Sequence, residues 1–76
     1  MVEYDIILFL EIIQTEGCRF LHEDTIEDER IQWFLSTNGN KRVQICVTDE
    51  FMTKRTASDI LRQLGLEDLI DRMFTD

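Results

Sequence analysis

The chain has 76 residues but only one histidine and two cysteines. It has no apolar run long enough to span a bilayer. Two thiols do not make the disulfide framework of a small secreted domain. Cys18 and Cys46 are therefore expected to be small, reduced, buried or half-buried side chains. The longest apolar stretch, Ile6–Leu10, is bracketed by Asp5 and Glu11. It lacks the basic start and small-residue cleavage site of a signal peptide. A cytoplasmic protein with no membrane partner is expected. Internal repeats, linkers, low-complexity segments and cofactor motifs are missing too, so no cofactor is expected.

Basic residues are scarce: eight Lys and Arg stand against sixteen Asp and Glu, for a net charge of −8. The imbalance is local. Residues 1–29 carry nine acids and one base, Arg19, whereas residues 30–76 carry seven of each. Phosphate backbones repel such an acidic surface, which argues against general nucleic-acid binding. A basic patch in the second part stays compatible with the pattern. Apolar content of 43% supports a core. A chain of this length makes one domain of modest stability, of the kind that gains by pairing with a partner. The sequence carries no direct sign of oligomeric state, and homo-oligomers stay open.

Helical and strand periods alternate along the chain. At 100° per residue, Val2, Ile6, Leu8, Phe9, Leu10, Ile12 and Ile13 share one arc, with Ile7 the exception. Gly17 suits the position just past that helix. Residues 18–22 read as a short strand and the acidic run after them, 22–29, as a loop. Two further strands follow over 29–37 and 41–48. Ile31, Trp33 and Leu35 alternate, and so do Val43, Ile45 and Val47. A three-residue loop, Asn38–Gly39–Asn40, brings these two apolar sets onto one face, with Asn40 left-handed. Trp33 is then core, and Trp33→Ala should cost about 3–5 kcal/mol. Arg30, Gln32, Phe34, Arg42, Gln44, Cys46 and Thr48 fall on the outer face. The last third is helical, capped by Thr56 or Ser58. Its two stripes, Ala57–Ile60–Leu61–Leu64 and Leu66–Leu69–Ile70–Met73, are out of phase, so the helix is expected to break near Gly65.

The expected fold is α+β: a three-stranded antiparallel sheet with helices packed on one face, in the order helix, strand, strand, strand, helix. In this order the chain resembles the HicA toxin family, small proteins with a double-stranded-RNA-binding-like fold. IILFLEIIQTEGC is similar to the family's first helix, KRVQICVTDE to its third strand, and TASDILRQLGLEDLIDRMF to its last helix with a short helix beyond. The resemblance implies an mRNA-cleaving activity and a glycine–serine–histidine motif at the start of the second strand. Thr25–Arg30 stand there instead, without a histidine. The family's catalytic residue therefore carries over to no position of this chain.

Four sets of residues are candidates for function. His22, beside Glu23 and Asp24, has the histidine–carboxylate composition of an acid–base pair, though no paired nucleophile stands out. Glu23, Asp24, Glu27, Asp28 and Glu29 lack the spaced ligands and central glycine of a calcium loop, so no metal is expected. They suit contact with a basic protein surface, or imitation of a nucleic acid's phosphates in a basic groove. Phe34, an aromatic on the outer sheet face, suits anchoring a protein partner; Tyr4 is a second exposed aromatic. Lys41, Arg42, Lys54 and Arg55 form a basic patch if the hairpin start lies near the loop before the last helix, and such a patch would bind RNA in a salt-sensitive way. The leading expectation is a non-catalytic protein-binding module with a basic partner. RNA binding or cleavage and nucleic-acid mimicry are the alternatives.

Overall fold

The computed structural model describes residues 3–74. Val2, expected on the first helix, lies outside them. The chain runs β1 (Glu3–Asp5), α1 (Ile6–Thr15), β2 (Arg19–Ile26), β3 (Glu29–Leu35), β4 (Arg42–Cys46), β5 (Phe51–Thr53), α2 (Lys54–Gln63) and α3 (Glu67–Phe74). Strands β2, β3 and β4 form an antiparallel sheet in that order. Strands β1 and β5, absent from the sequence reading, pair antiparallel as a separate two-stranded ribbon.

Helix α1 starts later than the apolar arc suggests. Asp5 caps it, its carboxylate accepting the Leu8 amide at 3.1 Å. Four isoleucines within ten residues are poor helix formers, so packing rather than propensity holds the helix. Ile6, Phe9 and Ile13 are buried. Leu8, placed on the apolar arc, is instead 56% exposed beside Ile7. The buried stripe follows the 3.6-residue period from Ile6, and Leu8 sits two residues off it.

Both long helices stop in the same way. Gly17 (φ +108°) and Gly65 (φ +76°) take the left-handed position after α1 and α2. Gly17 donates to the Gln14 carbonyl and Cys18 to that of Ile13. Gly65 donates to Arg62 and Leu66 to Leu61. Each pair is a Schellman motif, with a buried side chain following the glycine. The expected break near Gly65 is thus present. The cap of α2 lies earlier than expected: Thr53, not Thr56 or Ser58, accepts an amide, from Thr56 at 3.2 Å. Ser58 is buried.

The register of β3 against β4 differs from the expected one by a residue. Phe34 faces Val43, Gln32 faces Ile45 and Leu35 faces Arg42. The cause is the hairpin loop. Ser36 closes it by donating to the Lys41 carbonyl, which leaves four residues, 37–40, between. Asn38 Oδ1 accepts from the Ser36 hydroxyl (2.7 Å) and the Asn40 amide (3.0 Å), and Gly39, not Asn40, takes the positive φ (+76°). An even loop reverses the facing of every β3 side chain relative to an odd one. Phe34 becomes core at 0% exposure, and Trp33 moves to the outer face, half-buried.

The core lies between one sheet face and the helices. Phe34, Val43 and Ile45 meet Ile6, Phe9, Ile13, Ala57, Ile60, Leu61, Leu64, Leu66 and Leu69. On β4 the alternate residues Arg42, Gln44 and Cys46 are exposed, as expected. The molecule is a slab of 36 × 31 × 17 Å, with helices on one side of the sheet only.

Candidate functional site

The acidic run is not a loop. It forms the second half of β2, a two-residue turn and the start of β3, with Ile26 opposite Glu29. The turn residues Glu27 (φ +49°) and Asp28 (φ +70°) are both left-handed. A two-residue hairpin needs this conformation to follow the strand twist, and it favours Asn–Gly. Here two carboxylates occupy it against a steric preference. Strand alternation separates the remaining acids. Glu23, opposite Gln32, points to the helix side of the sheet; Asp24, opposite Ile31, and Glu29 point to the outer side. No three His, Cys, Asp or Glu groups among the described residues come together in a way that would hold a metal ion.

Glu23 is already engaged. Its carboxylate accepts from Arg30 Nε (3.3 Å) and Nη2 (3.0 Å) and from Gln32 Nε2 (2.8 Å). The Arg30 hydrogen bond, then that of Gln32, holds its carboxyl below the ordinary range, and Glu23 in turn raises Arg30. The cluster is exposed, so it orders the hairpin more than it stabilises the fold. Glu27, Asp28 and Glu29 make no ion pair among the described residues. All three are exposed.

His22 lies on the outer face. Its ring stacks on Trp33 across the strands, with centroids 5.9 Å apart and planes 21° from parallel. Its Nε2 is 3.3 Å from Asp24 Oδ2, and both side chains are about half exposed (53% and 50%). Cys46, expected to be buried or half-buried, is exposed on the far strand, its thiol donating to Thr48 Oγ1 at 3.5 Å. The indole of Trp33 stands in the strand between them. Trp33 Nε1 is shielded from solvent and has no acceptor. Cys18 is buried, and that burial, with Glu16 nearby, pushes its thiol up.

Phe34, expected on the outer face as a partner anchor, faces the helices instead. It is fully buried, with the edge of Phe20 against it at a centroid distance of 5.6 Å. Tyr4 is half-buried rather than exposed. The apolar row that reaches the outer face is Ile31, Trp33 and Leu35, all half-buried. Sequence reasoning placed this row in the core; the signal that would have moved it is the even loop length. Reasoning on α1 also missed an apolar cleft between Leu8, Ile12, Tyr4 and Met73.

The four basic residues do not form one patch. Lys41 lines a cleft with Arg62, Gln63, Leu64 and Gly65, at the end of α2. Lys54 and Arg55 begin that helix. Ten residues at about 1.5 Å each separate the two pairs by about 15 Å. The hairpin start therefore lies by the end of the last long helix, not by the loop before it.

Comparisons with protein-family models, with curated proteins and with solved structures find no match. No helix among the described residues is long and apolar enough to cross a membrane.

Proposed function

We propose that this chain is a non-catalytic protein-binding module that meets a basic surface through the acidic end of its β2–β3 hairpin. The observation that carries the reading is the turn itself. Glu27 and Asp28 occupy left-handed positions that Asn–Gly would hold with less strain, at the tip of a hairpin that presents Glu29 and Asp24 beside them. Strain at a turn is a reason to look for function there. The HicA-like resemblance belongs to the same proposal: this acidic turn occupies the stretch where that family's catalytic motif would begin. Splitting the cations Lys41 and Arg42 from Lys54 and Arg55 favours protein over RNA as the partner, because neither pair alone tracks a phosphate backbone.

The test is a titration of an oligolysine peptide against the wild type and a Glu27→Gln/Asp28→Asn/Glu29→Gln variant. Binding that weakens with salt, and weakens about tenfold or more in the variant, supports the reading. Equal binding by both removes the hairpin end from the account. An RNA arm at low salt uses Lys41→Ala/Arg42→Ala/Lys54→Ala/Arg55→Ala. Wild-type RNA binding that this variant loses overturns the proposal in favour of an RNA-binding protein.

A further inference from the structure

The outer sheet face carries its charges in a particular order. At one end Arg19, Leu35 and Arg42 stand in a row across the three strands. At the other end the row is Asp24, Ile31 and Cys46, with Glu29 beyond. Between them His22, Trp33 and Gln44 form the middle row. Arg19 makes no ion pair among the described residues. So one end is basic, the other acidic, and the centre is a flat aromatic stack.

We propose that two copies of this chain pair through these faces, about a two-fold axis that crosses the strands at Trp33. Such an axis reverses strand direction and keeps strand order. Trp33 then meets Trp33 once, on the axis, while Ile31 meets Leu35 and Arg19 meets Asp24 twice each. Arg42 falls over Cys46 and meets no like-charged side chain there. An axis along the strands would instead set Arg19 over Arg42, so the charges select one arrangement. A uniformly basic partner would face Arg19 and Arg42 and is the poorer occupant of this face. Tryptophan at the centre with charged groups at the rim is the usual anatomy of a productive contact. The area is limited. Three strands about 4.8 Å apart and seven residues of about 3.3 Å each give about 330 Å² in plan, small beside the ~800 Å² per partner of a standard interface. The pair is therefore weak and exchanges with single chains. This inference is independent of the hairpin-end reading, because its test contains no other molecule.

The experiment is sedimentation of the pure protein from micromolar to millimolar concentration, with Trp33 emission followed in parallel. Trp33 is the chain's one tryptophan, so its signal reports this face alone. Mass should rise from one chain to two, with a blue shift of the emission. Arg19→Asp and Asp24→Arg should each raise the dissociation constant about tenfold or more. An equimolar mixture of these two variants should pair again, because each then meets its opposite charge. Both side chains are exposed, and thermal unfolding checks that each variant is folded. A protein that stays a single chain at millimolar concentration overturns the proposal. So does a dimer indifferent to both changes, or a mixture that fails to recover.

Discussion

Strand β3 presents two faces, and they are completed differently. The helix side carries Phe34 at 0% exposure and then turns polar at Gln32 and Arg30. The outer side carries Ile31, Trp33 and Leu35, with no helix over them. The more apolar row of the strand is thus the less covered one. Burial here follows where the helices lie, and the helices follow the β4 row of Val43 and Ile45 and the single deep position of Phe34. A strand central to its sheet can support two apolar faces, one serving the fold and the other left for contact.

The strongest way to break this comparison is to truncate one aromatic on each face. Phe34→Ala should cost about 3–5 kcal/mol in denaturant unfolding, because it empties a fully buried site. Trp33→Ala should cost about 1–2 kcal/mol. Equal costs, or the reverse order, would restore the odd loop and its register. A second comparison sets glycine against cap. Gly65→Ala should cost about 1–2 kcal/mol, since nothing crowds an added Cβ and the penalty is that of the left-handed backbone. Thr53→Ala should cost about 1 kcal/mol, and Thr56→Ala clearly less. If Thr56→Ala proved the costlier, the cap would lie where the sequence first suggests.

The hairpin turn sharpens the contrast between fold and contact. Glu27→Asn/Asp28→Gly should raise stability by about 0.5–1 kcal/mol while weakening oligolysine binding. A variant that loses stability would mean that the two carboxylates support the turn. The smallest effect is the acid dependence of Glu23. Its carboxyl titrates lower in the folded state than in the unfolded one. The associated stabilisation is present above the ordinary glutamate range and is lost as pH falls through the folded value. Side-chain NMR titration should show Glu23 protonating below the ordinary glutamate range, and Gln32→Ala should move it part of the way back.

The helical half of the fold was readable because its signals are local. Gly17, Gly65 and the phase slip between Leu64 and Leu69 each state a stop in a few residues. The class of sheet was readable from two alternating runs. Its register was not, because one residue of loop length decides it. That length depends on hydrogen bonds of Ser36 and Asn38 that alternation does not encode. The acidic stretch was hidden for a different reason. Glu and Asp are poor strand formers, and backbone pairing to β3 extends the strand regardless. Strands β1 and β5, three residues each, are too short to show a period. The same residue of loop length exchanges Phe34 and Trp33 between the two faces of β3.

The β2–β3 ladder runs from Arg19–Leu35, beside the core, out to Ile26–Glu29 at a turn far from it. Its inner rungs are clamped by Phe34; its outer rungs are held by backbone pairing and the Glu23–Arg30–Gln32 cluster. A ladder fastened at one end opens like a zip from the other. Amide protons near Glu27 should therefore exchange fastest, and those near Phe34 only with global unfolding. The outer rungs are expected to open and close as a tether while the body of the domain keeps its shape.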